Sequence, residues 1–169
     1  MPIALSVENG TGVDGANSFA TLEQARDYAE LRSVTLTASD TVLTGYLVKA
    51  TAWLKQKSYL GTKTYAGQSF LPWPRSGLTV DEAEFPSDAV PQDIIDATCQ
   101  LCVEQQNGVD LFPTTTGPAV KREKIGPIDT EFAVATGGGR GGPRMPAVEA
   151  LIAAWLAQRS GFTLKTLRI

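Results

Sequence analysis

Residues Tyr59 to Leu78 read YLGTKTYAGQSFLPWPRSGL and lie between two stretches of helical periodicity. This segment cannot itself be helical. Pro72 and Pro74 bracket Trp73, and each proline drives the residue before it towards extended geometry. Gly61, Gly67 and Gly77 break up the remainder, which marks a structured aromatic loop rather than a polar tether. Tyr59, Tyr65, Phe70, Leu71 and Trp73 are too apolar to stand in water without a reason. Two arrangements satisfy them: the loop folds back to cap the flanking helices, or it presents an aromatic and Arg75 to a neighbouring subunit. Any fold for this chain must be built around a long loop of this kind.

Helical signals surround it. Thr21 with Gln24 three residues on forms a capping box, so a helix is expected from there to about Leu31, with Leu22, Ala25, Tyr28 and Ala29 on one face. Ser39 or Asp40 caps a second helix. Its stripe of Val42, Leu43, Tyr46, Leu47, Ala50, Trp53 and Leu54 runs to about Lys57, and Gly45 leaves room there for close packing. Pro91 and Asp93 suit the start of a third helix, which buries Ile94, Ala97, Thr98, Leu101 and Cys102 and stops at Gly108. Pro146 opens a fourth, with Val148, Leu151, Ile152, Trp155 and Leu156 inward and Gly161 as its end.

Strand signals are weaker. Ile3 to Val7 is expected as a short strand. Val120 to Val134 alternates loosely around Gly126-Pro127, the pattern of a β-hairpin, which must pack on the helices or pair with a neighbour because a lone hairpin is marginal. GGGRGG, residues 137–142, reads as a linker, since neither phosphate-loop nor dinucleotide spacing is present. The expected class is mainly α (α+β): a four-helix core with a long aromatic loop between helices two and three and a β-hairpin before the last helix. At 169 residues this is one domain, spanning 1–161 with the hairpin inserted near 120–134, followed by an extension over 162–169.

Composition narrows function mainly by exclusion. The chain has no histidine, which removes nucleophile–histidine dyads and the commonest general base. The carboxylates Asp81, Glu82 and Glu84 lack calcium-loop spacing and read as a solvated acidic loop. Cys99 and Cys102 form a CxxC without a second ligand pair, well inside a helix, and read as inert core thiols. Catalysis, a cofactor and a metal are therefore not expected. Neither is a membrane role, because no apolar run is long enough to span a bilayer and the N-terminus lacks a secretory pattern.

Charge is uneven. Up to Thr116 there are seven Lys and Arg against fourteen Asp and Glu, a balance of −7; from Gly117 there are eight against four, a balance of +4. A chain acidic first and basic last can stack against copies of itself or carry its tail to an acidic partner. The tail, FTLKTLRI over 162–169, alternates apolar and polar residues with two cations and suits addition to a sheet edge or insertion into another protein.

Several short motifs resemble one family. LPWPRSGL in the loop, Asn17-Ser18-Phe19 with Leu22, Glu23, Ala25 and Tyr28, and Val90, Pro91, Ile94 and Ala97 all resemble head–tail connector (adaptor) proteins of tailed phages. KIGPIDTEF from Lys124 to Phe132 and the helix from Pro146 to Leu156 extend the resemblance over most of the chain. Some members of that group carry a DnaT-like single-stranded DNA-binding label. The resemblance implies a homo-oligomeric ring, typically twelvefold, beneath the portal protein, which extends the DNA channel and offers a platform to a stopper or tail-completion protein. It implies a virion location after synthesis in the host cytoplasm, with DNA passing through rather than being gripped. By analogy, Phe162, Leu164, Lys165, Leu167, Arg168 and Ile169 contact the portal, and the tail orders on assembly. Ring contacts then fall to Tyr65, Phe70, Trp73 and Arg75 in the loop and to Ile125, Ile128 and Phe132 in the hairpin. The alternative is a single-stranded DNA binder using Tyr65, Phe70, Trp73 and Arg75; the few loop cations, Lys63 and Arg75, and the acidic first two-thirds of the chain weigh against it.

Overall fold

The computed structural model describes residues 4–67, 70–80, 82–113, 122–125, 128–131 and 144–157. Helices dominate: α1 (Leu22–Glu30), α2 (Asp40–Lys55), α3 (Gln92–Gln106) and α4 (Pro146–Ile152), the last running into a 3-10 turn at Ala153–Trp155. Three antiparallel two-stranded pairs accompany them: β1 (Thr62–Lys63) with β2 (Arg75–Ser76), β3 (Thr79–Val80) with β4 (Ala83–Glu84), and β5 (Arg122–Ile125) with β6 (Ile128–Glu131). The class is mainly α with small β elements. α3 is the central element and packs against α1, α2 and α4.

Local chemistry explains each helix. The α1 capping box forms: Gln24 N donates to Thr21 Oγ1 at 3.1 Å and Thr21 N donates to Gln24 Oε1 at 2.8 Å. α1 then buries Ala25, Tyr28 and Ala29. Ser39 occupies the α2 N-cap position but its side chain makes no capping bond, and the Asp40 carboxylate instead pairs with Arg26 of α1. α2 sinks Leu43, Leu47, Ala50, Thr51, Trp53 and Leu54, whereas Val42 stays exposed. Gly45 does not serve close packing, since a Cβ there would meet nothing within 4 Å.

α3 starts just after Pro91, whose carbonyl accepts from the amides of Ile94 and Ile95, and it buries the expected face of Ile94, Ala97, Thr98, Leu101 and Cys102. Burying each large aliphatic contributes about 1.5–3 kcal/mol. Two glutamines tie its end to the rest of the bundle. Gln105 Nε2 donates to Tyr46 O at 2.9 Å, joining α3 to α2. Gln106 accepts from Thr37 N at 2.8 Å and donates to Thr35 O at 2.9 Å, clamping the α1–α2 connection. Gly108 follows with φ +89°, the left-handed geometry that ends a helix.

Three expectations change. Residues 4–7 form no strand; Val7 makes a single parallel bridge to Ser18. The acidic stretch after Thr79 is solvated as expected, with Glu82 and Glu84 exposed, but it is paired as β3–β4 rather than a plain loop. The fourth helix does not reach Gly161. It ends at Ile152, tightens into the 3-10 turn, and Leu156 is extended, because Leu156 bridges Tyr59 across the molecule. The hairpin around Gly126-Pro127 does form, with Ile125 opposite Ile128 and Arg122 opposite Glu131.

Candidate functional site

The segment from Tyr59 to Leu78 folds onto its own chain. β1 and β2 close it as a ladder, Thr62 opposite Ser76 and Lys63 opposite Arg75. Gly61 enters the ladder with φ +68°, and a Cβ there would lie 2.4 Å from Ser76 O, so only glycine fits. Trp73, followed by a cis proline, is fully buried. Its ring meets three others edge to face: Tyr59 at 5.6 Å, Phe85 at 6.4 Å and Trp155 at 5.4 Å between centroids. Such pairs add about 0.5–1.5 kcal/mol each beyond area burial. Trp155 is fixed in turn, its Nε1 donating to Asp93 Oδ2 at 2.8 Å.

Arg75 holds the two ends of the loop together. Its guanidinium donates to the carbonyls of Leu60, Gly61, Tyr59 (3.3 Å) and Pro72 (3.1 Å). None of these four acceptors is a carboxylate, so the guanidinium charge is held rather than neutralised. Tyr59 OH donates to Leu54 O at 2.9 Å, and burial pushes its phenol well above the ordinary range.

The outer surface of the same region is basic and aromatic. Phe70 is 74% exposed, the most exposed aromatic among the described residues, and Lys55 Nζ sits 5.9 Å from its ring centroid. Lys57 Nζ lies 3.7 Å over the Trp53 ring. Lys63 is held below the usual lysine range first by desolvation and then by the positive charges of Lys55 and Arg75, which places the three cations within electrostatic reach of one another. Leu60 is exposed beside them in sequence. The sequence signal for this face is an absence: from Thr41 to Val80 there is no Asp or Glu, while Lys49, Lys55, Lys57, Lys63 and Arg75 all fall in that run. Tallying charge over the first 116 residues hides it, because the fourteen acids lie on either side.

The predicted contact residues divide accordingly. Phe70 faces outward. Tyr65 is half-buried against the N-terminal turn, where a Cβ on Gly12 would strike its ring at 2.6 Å. Trp73 offers no surface to any partner, because the aromatic cluster and the 3-10 turn enclose it. Arg75 is spent on the chain's own carbonyls and does not project. Ile125 and Ile128 are paired with each other at the end of the hairpin. Phe132 and the tail residues Phe162, Leu164, Lys165, Leu167, Arg168 and Ile169 lie outside the described residues, as does the linker at 137–142.

Cys99 and Cys102 are free and buried, and burial pushes the Cys99 thiol up to about 12. Among the described residues no group of three or more His, Cys, Asp or Glu is placed to hold a metal, and no helix is long and apolar enough to cross a membrane.

The geometry defines a small, mainly helical α+β domain carrying one basic, aromatic face on a tightly closed loop. The chain belongs to the family described as "Putative DnaT-like ssDNA binding protein", whose sequence model matches residues 3–169. Neither a curated protein nor a solved structure matches it.

Proposed function

We propose that the chain binds single-stranded DNA without sequence preference, through the face where Lys55 stands beside Phe70, with the charges of Lys63 and Arg75 adding to the local potential. The observation that carries this reading is the exposed Phe70 ring beside Lys55 inside a stretch free of acids. Every base has a face that can stack on an aromatic ring, and lysines alongside meet the phosphates. The family description supports the same reading. Arg75 contributes its charge to the local potential while its donors stay on carbonyls. No catalytic step is assigned to the face.

Titration of a labelled oligo-dT by fluorescence anisotropy tests this. Each phosphate met should make log affinity fall with log salt by about 0.7 in slope, and Lys55→Glu should flatten that slope. Phe70→Ala should weaken binding by about 1–3 kcal/mol, the value of one stacked base. No binding at low salt, or binding that Phe70→Ala and Lys55→Glu both leave unchanged, overturns the reading.

A second reading rests on a different observation, the run of motifs from Asn17 to Leu156 that resembles phage head–tail connectors. In it the chain is a ring subunit between the portal and a stopper or tail-completion protein, located in the virion, with DNA passing through the channel. The exposed Leu31, Phe70 and Phe112 supply apolar surface for subunit or partner contacts. Light scattering of the protein alone and with a portal ring separates the two readings. Stoichiometric assembly on the portal without oligo-dT binding selects the connector; salt-dependent oligo-dT binding by a protein that ignores the portal selects the first.

A further inference from the structure

The two most exposed large apolar side chains among the described residues, Leu31 at 84% and Phe70 at 74%, stand on different surfaces of opposite charge. Leu31 borders an open cleft of about 290 Å³ between α1 and α3, whose walls include Asp27, Tyr28, Ile95 and Asp96. Glu23, Asp27 and Glu30 fall four and three residues apart on α1, so they share one exposed ridge. Of the nearby cations, Arg26 is paired with Asp40, and Arg32 sits over the Tyr28 ring, 3.5 Å from its centroid. The cleft is thus acidic with an apolar edge. The Phe70 corner is its counterpart: an apolar ring beside Lys55, with Lys63 and Arg75 adding charge and no acid from Thr41 to Val80. Phe70 does not line the cleft of its own chain. A cavity of about 150 Å³ already accepts a benzene ring, so the cleft has room for the Phe70 ring and the stem of Lys55.

We infer that the α1–α3 cleft receives the Phe70–Lys55 corner of a second copy of this chain, the ring against Leu31 and Ile95 and the ammonium beside Asp27 and Asp96. The inference rests on neither reading of function given above. Charge selects the partner, because one contact covers both exposed apolar groups and sets a cation among acids. The contact joins two different surfaces, so a pair of copies still has one cleft and one corner free, and association continues beyond two. Where single-stranded DNA also stacks on Phe70, the two occupants exclude each other.

Sedimentation velocity of the full-length chain over a concentration series tests this, at low salt and again at about 0.5 M, where the screening length falls to about 4 Å. The average mass of the parent should rise with concentration and drop in high salt. One variant loses the corner (Lys55→Ala with Phe70→Ala) and another loses the cleft (Asp27→Lys with Leu31→Lys). All four side chains are exposed, so both thermal midpoints should match the parent. Each variant alone should associate about 30-fold more weakly, the loss of one central anchor. Mixed in equal amounts, they should form a one-to-one pair that grows no further, because a single intact cleft and a single intact corner remain. A parent that stays monomeric, variants that still associate, or a mixture without the one-to-one pair overturns the inference. Oligo-dT binding and its response to Phe70→Ala are measured separately, so the DNA-binding reading stands or falls on its own.

Discussion

Replacing Arg75 separates a residue that holds the loop from one that faces a partner. Its guanidinium donates to four carbonyls, those of Tyr59, Leu60, Gly61 and Pro72. A hydrogen bond from a charged donor contributes about 1.5–3 kcal/mol net, but four on one side chain do not add. The bond to Tyr59 O is long at 3.3 Å, the site is half-open so freed carbonyls regain water, and ordering an arginine costs up to about 2 kcal/mol. A net loss of about 3 kcal/mol for Arg75→Ala is the resulting expectation. In urea, with a slope of about 2 kcal/mol per molar, the midpoint should fall by about 1.5 M. The melting temperature should fall by about 6–12 °C. Arg75→Lys keeps the charge but not the planar fork, and should recover less than half of the loss. An alanine variant within about 0.5 kcal/mol of the parent refutes the holding role. A lysine variant equal to the parent would show that charge matters and the fork does not.

Two more outcomes follow from buried groups. Thr51 is buried in α2 with its hydroxyl unpaired among the described residues, so Thr51→Val, which keeps the shape, should stabilise by about 1 kcal/mol, or about 2–4 °C in melting temperature; a destabilised variant counts against it. The thiols of Cys99 and Cys102 are both raised by burial, Cys99 to about 12 from an ordinary 9.0, so folding favours their protonated forms. Their contribution is complete below pH 9 and is lost as pH climbs towards 12, at up to about 1.4 kcal/mol per pH unit for each thiol. Tyr28 and Tyr59, also raised by burial, add losses of the same sign above pH 10. Urea midpoints at pH 8, 9.5 and 10.5 should fall steadily, and a thiol reagent at pH 8 should label neither cysteine until urea unfolds the chain. A flat profile or prompt native labelling refutes this.

What could be read from the sequence was what neighbours along the chain decide. The Thr21–Gln24 box, the α3 stripe and the Gly126-Pro127 hairpin depend on residues a few positions apart, and they form as expected. The prolines around Trp73 correctly exclude helix, but the direction of that ring depends on Phe85 and Trp155, which no local pattern reveals. The end of α4 was misjudged for a related reason: Leu156 has helical spacing, yet pairing with Tyr59 pulls it into extended geometry. The four acceptors of Arg75 are main-chain carbonyls, which leave no residue signature in the sequence. The basic face was visible in the sequence as an interval without acids, and summing charge over a longer stretch concealed it.

The rung between Tyr59 and Leu156 also has a consequence for how the protein is made. Trp73 cannot be enclosed until Trp155 arrives, so the loop is completed only after α3 and α4 have been synthesised. During translation α1, α2 and α3 can assemble while Tyr59, Trp73 and Phe85 still wait for their final partner. Contacts between such distant positions form slowly, and the apolar surface they leave open in the meantime is prone to misassociation. Chains interrupted before Trp155 should therefore be the sticky ones, and the basic face should reach its finished shape only after the whole core has left the ribosome.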